Sequence, residues 1–385
     1  MPVTHTMNTK TYETIIIGAG ISGLACANHL QKHGKDFLLI SKDIGGRIRT
    51  SEDGTANYGA FFVCSDYKNV LPFVTLQKRI RLSDFCFHEN ETTYTFYQPR
   101  LLLYLHQFMK IKQHLYRFRN ALRACRKTAE ETSQKKAIEA DPLLHALYRK
   151  DADDFVKENR LEQGTNKYLS KALYSTTFSP VSRMNAFSFL QFLLPLITPI
   201  YSFHFEKHKM TSSFQENILI DTATDINRTA DQYKIKTNTA TFLAKNLVMA
   251  TEISWSNKFT GIKEMNTPVS THMLHIRGTP KHMIARKKYQ LFRHPSMVQS
   301  IAALGNGTYL FYYKDTQPPV ENYFHNPEVI THHFWDPAGR IHGHVLIESN
   351  RGKNMYLIGD YNIAGLEEAF ITGVYAANQI ITSSY

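Results

Sequence analysis

Gly18, Gly20 and Gly23 have the residue type and the spacing of a dinucleotide-binding turn. An apolar run at residues 14–17 comes directly before them, and a second apolar run at residues 37–40 follows a stretch that suits a helix. Strand, glycine turn, helix and strand is the order in which this spacing binds a nucleotide. A purely structural glycine turn is the alternative, and the surrounding pattern favours the nucleotide site.

Each glycine would do a different physical job in such a turn. Gly18 allows the tight turn, Gly20 lets the backbone approach a pyrophosphate, and Gly23 lets the helix pack closely on the strand. The first helical residues, Ile21 and Ser22, would present free N–H groups and the positive end of the helix dipole to the phosphates. These five residues are predicted to hold the phosphates of a dinucleotide.

Two further motifs indicate which dinucleotide is bound. Gly45, Gly46 and Arg47 follow the second apolar run, and Gly359 and Asp360 end a strand-like segment late in the chain. An arginine suits phosphate because its fixed fork of donors matches phosphate oxygens. The combination resembles the flavin-containing amine oxidase superfamily, which includes monoamine oxidases, protoporphyrinogen oxidases and phytoene-type desaturases.

The resemblance implies bound FAD and a role for each motif. The Gly-Gly-Arg motif would lie against the pyrophosphate and the flavin edge, and Asp360 would hydrogen-bond the ribityl or phosphate region. A helix beginning at Leu366 would point its N-terminus at the pyrimidine end of the flavin. Residues 244–251 resemble the strand that closes the middle segment of the FAD domain, and Ala223 in that segment would contact the adenine side.

The superfamily's FAD domain is discontinuous, and this sequence has its segments in the same order. Residues 12–66 would supply the first part, 206–262 the middle and 340–385 the end, while 67–205 and 263–339 would form the substrate domain. The predicted fold class is therefore α/β, with a Rossmann-like, glutathione-reductase-like FAD-binding domain and an α+β substrate domain.

Ser41 departs from the Rossmann pattern, which places an acidic residue at the end of the second strand to bond the adenosine ribose. Ser41 stands at that position when the chain is aligned through the Gly-Gly-Arg motif, with a shortened loop after it. A hydroxyl can donate and accept a hydrogen bond, but it lacks the two oxygens of a carboxylate. Asp43 could supply another acceptor. The departure weakens the expected FAD affinity more than the expected fold.

A flavin performs the hydride chemistry itself, so few catalytic side chains are expected. Many amine oxidases of the superfamily hold a lysine near the flavin, and by position it would fall within residues 269–276. That segment contains His272 and no lysine, which weakens an amine oxidase interpretation. His272 is predicted to act as an acid, a base or a hydrogen-bond donor. A structural histidine within a sheet is the alternative.

Tyr361 directly follows the Gly-Asp pair and is predicted to lie at the flavin face. Together with Trp335 or Tyr313 it could form half of an aromatic cage for a substrate amine. Plain lining of a cavity is the alternative. The histidines between residues 332 and 344 lack a companion cysteine or carboxylate at ligand spacing, so no metal site is predicted.

Composition narrows the class of partner. The 385 residues are enough for two domains, and the net charge is +12. A basic balance suits nucleic acid, an anionic membrane or an acidic substrate. Without a recognisable nucleic-acid module, a small-molecule substrate is predicted and nucleic acid is not. Four cysteines without a CxxC pair indicate reduced thiols, and the N-terminal residues lack the apolar region of a secretory signal, so a cytoplasmic location is expected.

Two segments raise the question of peripheral membrane contact. Residues 100–136 are predicted to be helical, with ten Lys/Arg, two Glu and an apolar stripe that runs from Leu101 through Leu105 to Leu122. Such a helix can lie on an anionic membrane, or it can be an ordinary helix with a solvated basic face. Residues 187–203 are the most apolar stretch, but Pro195 and Pro199 break helical hydrogen bonding. A helix ending near Leu194 that lines a cavity is predicted, with a membrane plug as the alternative.

The leading hypothesis is an FAD-dependent oxidoreductase of the amine oxidase or desaturase type, which oxidises a C–N or C–C bond of an amphiphilic or acidic substrate. The alternative is a redox-silent flavoprotein, either an isomerase or a protein that only binds FAD or a partner. Ser41 and the missing lysine motivate this alternative. The oligomeric state and the electron acceptor are left open.

Overall fold

The computed structural model describes residues 10–90, 92–229 and 231–383, so the segment on which the secretory-signal prediction rests lies largely outside it. The β-strands, in chain order, are β1 Lys10–Ala19, β2 Phe37–Ile44, β3 Val63–Cys64, β4 Val74–Ile80, β5 Phe85–Glu89, β6 Thr92–Thr95, β7 Ile200–Phe205, β8 Ile218–Ile220, β9 Ala223–Arg228, β10 Tyr233–Thr237, β11 Thr241–Met249, β12 Thr267–Pro280, β13 Tyr289–Phe292, β14 Val298–Ala303, β15 Thr308–Tyr313, β16 Phe324–His342 and β17 Met355–Leu357.

Helices separate or follow these strands, and a 3₁₀ turn at Pro99–Tyr104 leads into the longest of those described. The α-helices are α1 Ile21–Lys32, α2 Leu105–Thr128, α3 Gln134–Ala140, α4 Pro142–Arg149, α5 Ala152–Glu158, α6 Glu162–Gly164, α7 Ser170–Thr177, α8 Ala186–Leu193, α9 Lys207–Thr211, α10 Ile253–Thr260, α11 His282–Ala285 and α12 Leu366–Thr382.

The first sheet positions the glycine turn. Its strands run in the order β8-β2-β1-β11-β10-β9, and β17 pairs with β11. β1 is parallel to both β2 and β11, and β17 is parallel to β11. The carboxyl ends of these four strands therefore meet at one edge of the sheet, which is where open α/β sheets bind ligands.

Helices α1 and α12 cover one face of this sheet and touch each other closely. Leu24 of α1, Phe370 and Val374 of α12, and Leu39 of β2 belong to one buried apolar cluster. A Cβ atom at Gly373 would lie only 2.1 Å from the backbone oxygen of Ser22. Glycine at this position therefore lets the two helices approach to backbone contact.

A second sheet, in the order β16-β12-β15-β14-β13-β5-β6, lies beside a layer of helices. Side chains alternate along its central strand β12, as the period of a strand requires. Met273 packs into a cluster with Phe118 of α2 and Phe187 of α8, while Leu274 packs into a separate cluster on the other face. A small sheet of β3, β7 and β4 completes the strand pairings described.

Several predicted elements are confirmed. The apolar runs at residues 14–17 and 37–40 lie in β1 and β2, with α1 between them, and α8 ends at Leu193, next to the predicted Leu194, as the following prolines require. Residues 100–136, predicted to be helical, comprise the 3₁₀ turn, α2 as far as Thr128, a short break and the start of α3. Leu105, predicted in the apolar stripe, is exposed. The domain boundaries stay a prediction.

Candidate functional site

The glycine turn lies at the carboxyl end of β1, against the end of β11. Gly18 has φ +105°, and a Cβ atom there would lie 2.5 Å from the backbone oxygen of Ala250. A Cβ atom at Gly23 would lie 1.9 Å from the backbone oxygen of Gly18. Both glycines are therefore required by the packing of the protein itself, whether or not a ligand is bound.

Gly20 differs from its two neighbours, because a Cβ atom added to it would meet nothing within 4 Å. It is the N-cap residue of α1, with an ordinary extended conformation (φ −70°, ψ 177°). The first helical hydrogen bond runs from the N–H of Leu24 to the Gly20 oxygen, so the N–H groups of Ile21 and Ser22 come before it. Since neither a side-chain cap nor an acidic residue occupies this end, its positive dipole suits an anion.

Ser41 ties the second strand to the glycine turn. Its Oγ accepts a hydrogen bond from the backbone N–H of Ala19 at 3.1 Å and donates one to the backbone oxygen of Asp43 at 2.7 Å. β2 continues beyond Ser41 to Ile44, which pairs with Ala19. The hydroxyl proton is therefore engaged within the protein, and the predicted contact of Ser41 with a ribose stays a prediction.

The Gly-Gly-Arg loop and the Gly-Asp pair meet at this edge of the sheet. The N–H of Gly45 donates to the Ala19 oxygen at 2.8 Å, while Gly45 and Gly46 both have positive φ angles. Arg47 donates from both terminal nitrogens to the Asp360 carboxylate, at 2.8 Å for Nη1, and also to the Ala338 oxygen at 3.0 Å. The Asp360 carboxylate raises the pKa of Arg47. Two predicted cofactor residues are thus brought together, as partners of each other.

The N-terminus of α12 carries more negative charge than the resemblance implies. Leu366 begins the helix and Gly365 precedes it without a side-chain cap, but Glu367 and Glu368 lie in the first turn. Glu367 is buried and accepts hydrogen bonds from the N–H groups of residues 68, 69 and 70, and burial raises its pKa. Glu368 forms an ion pair with Arg126 of α2. The helix end is therefore partly neutralised by its own carboxylates.

Gly359 follows β17 at the carboxyl edge of the first sheet, and Ala223 begins β9, where it pairs with Thr237 of β10. The Gly359 N–H donates to the Thr372 Oγ1 at 2.9 Å, which fixes the end of β17 against α12. Ala223 is buried at the start of β9, two residues after Asp221, whose N–H donates to the Ser41 oxygen at 3.0 Å. Ala223 therefore lies beside the end of β2, where the resemblance expects the adenine side, and its contact with adenine stays a prediction.

His272 lies on the face of the second sheet that is turned away from the helical layer. It stacks on Tyr313 and Phe334, and its Nδ1 lies 3.0 Å from Nε2 of His332. This is the face of Leu274, whereas Met273 on the opposite face packs toward the helical layer and the 56–64 segment. Strand alternation thus separates His272 from the side of the sheet that packs against the 56–64 segment, and its catalytic role stays a prediction.

The aromatic cage predicted for Tyr361, Trp335 and Tyr313 is not assembled. Tyr361 is buried against Ile17 and Leu38 on the face of the first sheet opposite α1, and its hydroxyl donates to the Thr251 oxygen. Trp335 lies elsewhere, and its indole N–H donates to the Tyr58 oxygen at 3.2 Å. Tyr313 lies on the His272 face. The turn after Asp360 sends Tyr361 under the sheet instead of toward a cavity.

The sequence analysis missed a polar aromatic group around Tyr58, on the inner face of β12. The Tyr58 hydroxyl lies 3.1 Å from Nδ1 of His275, whose Nε2 lies 2.9 Å from Oγ1 of Thr308. The Tyr58 ring also contacts His333, which in turn contacts Trp335. Burial lowers the pKa of His275 and raises that of Tyr58, so both are neutral near pH 7. Strand alternation would have selected His275 if the inward face had been known.

Comparisons with known proteins agree with this geometry. A family model described as an NAD(P)-binding Rossmann-like domain matches residues 16–75. A Drosophila melanogaster protein named "Possible lysine-specific histone demethylase 1" is 43% identical over 75 residues, which are 18% of this chain and 8% of that protein. The match therefore concerns a short segment of a much longer relative.

Solved structures match over nearly the whole chain. Putrescine oxidase bound to putrescine has a TM-score of 0.68 at 13% identity, covering 97% of this chain and 100% of that one. The CLA-producing fatty acid isomerase from P. acnes has 0.68 at 10% identity, covering 97% and 99%. Cyclohexylamine oxidase from Brevibacterium oxydans IH-35A has 0.61 at 13% identity, covering 97% and 98%.

The fold and the glycine turn define a two-part α/β protein with a Rossmann-like dinucleotide-binding domain. The predicted fold class is therefore confirmed, and the chain shares the fold of putrescine oxidase and cyclohexylamine oxidase. Within the described residues, no helix has the length and apolarity needed to cross a bilayer, and no three His, Cys, Asp or Glu side chains cluster as metal ligands.

Proposed function

We propose that this chain is an FAD-dependent oxidoreductase that oxidises a C–N or C–C bond of a small-molecule substrate. One observation carries the proposal. The glycine turn, the Gly-Gly-Arg loop and the Gly-Asp pair converge at one edge of the sheet, although Arg47 and Asp360 are 313 residues apart in the chain. The named activities of putrescine oxidase and cyclohexylamine oxidase, which share the fold, support the reaction class.

The phosphate end of the site suits FAD. The open space at Gly20 and the uncapped N-terminus of α1 would receive the pyrophosphate, with N–H groups from Ile21 and Ser22 as donors. Arg47 and Asp360 are partly exposed and would hold the phosphate and ribityl region of the cofactor. The cofactor would compete with Asp360 for the guanidinium N–H donors of Arg47, which the ion pair uses here. The flavin, when bound, supplies the hydride acceptor.

The substrate side is proposed to lie at the inner face of the second sheet. Trp335 of β16 contacts Tyr58 there, and the Arg47 guanidinium donates a hydrogen bond to the oxygen of Ala338, which is also in β16. His275 is positioned by hydrogen bonds on both ring nitrogens, so it can relay or hold a proton at Nδ1 beside the Tyr58 hydroxyl.

The first test is the visible spectrum of the purified chain, with the released cofactor identified. Oxidised flavin bands and FAD released at near one per chain are expected. Anaerobic addition of candidate amines and unsaturated or acidic lipids should then bleach the flavin with one of them. A colourless chain that also fails to take up added FAD would sink the proposal.

A second candidate is a flavoprotein isomerase without net redox turnover. The shared fold with a fatty acid isomerase favours it, as does the absence of a lysine from β12. Product formation without lasting flavin bleaching and without oxygen consumption would select the isomerase. Stable anaerobic bleaching would select the oxidoreductase.

A further inference from the structure

We propose that one surface of the helical layer docks the chain onto an anionic lipid bilayer, independently of the cofactor site. Large apolar side chains are exposed together where the 3₁₀ turn enters α2. This leucine surface consists of Tyr97 (63% exposed), Leu102 (71%), Leu103 (68%), Leu105 (49%) and Met109 (55%). Contiguous exposed apolar groups of this kind mark interaction sites on otherwise polar surfaces.

The pattern along α2 shows that this exposure is systematic. Ile111, Leu115 and Phe118 are buried in the core of the helical layer. Leu105 and Met109 are four residues apart and share another side of the helix, which continues to Tyr116, also exposed. The helix therefore has one apolar stripe that the protein covers and a second that faces solvent.

Charge around the leucine surface is of one sign. Residues 99–128 contain eight Lys/Arg and no Asp or Glu. Within the described part of the chain, Arg100, Lys112 and Arg117 form no ion pair. Long basic side chains beside exposed apolar groups suit an interface in which the apolar groups enter the acyl region and the cations stay at anionic headgroups.

A cavity of about 190 Å³ lies behind the leucine surface. Leu105 belongs to both, and exposed Lys112 also lines the cavity. Leu196 and Ile197, from the apolar segment at residues 187–203, form another wall. Residues 100–136 and residues 187–203, the two segments for which the sequence suggested membrane contact, therefore both line this cavity. The cavity is smaller than a typical small-molecule site, which is roughly 300–1,000 Å³, so it would take only the end of an acyl chain.

These features favour a bilayer over a protein partner. The apolar groups are three leucines, a methionine and a tyrosine, and residues 99–128 contain cations but no carboxylate that would give a protein partner a specific register. Lysine and arginine side chains near an anionic surface add electrostatic attraction to the burial of inserted leucines, and together these can hold a protein on a bilayer without a spanning helix. Binding should therefore need anionic lipid and weaken as salt is raised.

The test is sedimentation of the full chain with vesicles of phosphatidylcholine alone or mixed with phosphatidylglycerol. We expect the chain to pellet with the mixed vesicles and to remain largely in solution with phosphatidylcholine. The paired substitution Leu102→Glu with Leu103→Glu should reduce partitioning at least tenfold, and Lys112→Glu with Arg117→Glu should reduce it for mixed vesicles. Val329→Glu, at a 47% exposed position on β16, is the matched control and should bind as the parent does.

A second measurement reports insertion directly. Leu103→Trp should shift its fluorescence to shorter wavelength on mixed vesicles and be quenched by brominated acyl chains. A parent chain that stays in solution with both vesicle types overturns the proposal. An equal loss of vesicle binding in the Val329→Glu control also overturns it. The leucine surface would instead be a contact between copies if light scattering showed dimers of the parent chain that the paired Leu102→Glu and Leu103→Glu substitution dissociates without changing vesicle binding, and this result would overturn the proposal as well.

Discussion

Gly20 separates what the dinucleotide site needs for folding from what it needs for binding. Because a Cβ atom there meets nothing within 4 Å, Gly20→Val should fold normally and lose FAD, since the side chain would fill the approach to the pyrophosphate. Gly23→Ala should instead destabilise the protein, because its Cβ atom would overlap the Gly18 oxygen. Thermal unfolding and released flavin per chain measure the two effects. A Gly20→Val protein as yellow as the parent would refute the site.

Arg47 and Asp360 can be tested as a pair. Arg47→Ala should weaken FAD binding by about 2 kcal/mol, roughly 30-fold, as for the loss of a charge-assisted hydrogen-bonded pair. Because the two side chains contact each other, the effects of Arg47→Ala and Asp360→Asn should not add in the double variant. Fluorescence titration of the apoprotein with FAD measures all four constants. Arg277→Ala, which breaks an exposed ion pair on β12, is the control and should not change them.

His342 should make stability depend on pH. Its Nε2 is hydrogen-bonded to the Ser179 hydroxyl in the interior, and burial lowers its pKa from 6.5 to about 4. Between these values the unfolded chain binds a proton that the folded chain excludes, so stability falls as the pH falls from 6.5 toward 4. From pH 7 to pH 5, His342 alone should account for a loss of about 2 kcal/mol in the free energy of unfolding.

Urea unfolding at the two pH values measures the effect of His342. His342→Gln should flatten the difference between them whatever its effect at pH 7. His106→Gln, at an exposed position on α2, should leave the difference as it is in the parent. An unchanged pH dependence in His342→Gln would show that other groups cause it.

Residue types with a local geometric requirement were predictable from the sequence, and side-chain directions were not. Gly23 follows from spacing because the contact it permits, with the Gly18 oxygen, is made within one turn and helix, and Gly18 follows from the positive φ angle that the turn itself requires. The direction of His272 depends on which face of β12 is inward, and that is decided by packing against residues far away in the chain. The direction of the Tyr361 side chain was unpredictable for the same reason, since it depends on the turn after β17.

At the scale of elements, the contact between α1 and α12 is the most sensitive. Gly373→Leu would place a side chain where Ser22 and Ala25 already lie, so it should cost about 3 kcal/mol or more through overpacking. Thr382→Leu, in the exposed last turn of the same helix, should cost little. Urea unfolding of both variants measures the difference. A Gly373→Leu protein as stable as the Thr382→Leu protein would contradict the close approach.

Elements were predictable where the pattern is periodic and local. Residues 37–40 lie in a strand and α8 stops before Pro195, as spacing and proline chemistry require. The apolar stripe on α2 predicted Leu105 to be buried, but it is exposed, because apolar spacing alone cannot distinguish a buried stripe from one that faces solvent. An ordinary helix with a solvated basic face and a helix that lies on a membrane differ only in what contacts their exposed side, and the sequence does not specify that contact.

At the scale of the whole molecule, the late segments stabilise the early ones. β17 pairs with β11, and α12 covers the same face of the sheet as α1. Deleting residues 355–383 should therefore abolish the cooperative unfolding transition of the entire first sheet, not only of the removed segment. Circular dichroism during urea unfolding checks this. A truncated chain with an unchanged transition midpoint would contradict the packing described.

The pairing of β1 with β11 has a consequence for synthesis on the ribosome. Asn246 of β11 bonds the backbone of Glu13 in β1 across 233 residues of chain. At the usual rate of translation, roughly 5–20 residues per second, β11 is synthesised on the order of 10–50 s after β1, its partner in the sheet. During that interval an apolar strand edge is unpaired, which is the state that aggregates or recruits chaperones. The yield of this protein in cells should therefore depend on translation speed and chaperone supply more than on its final stability.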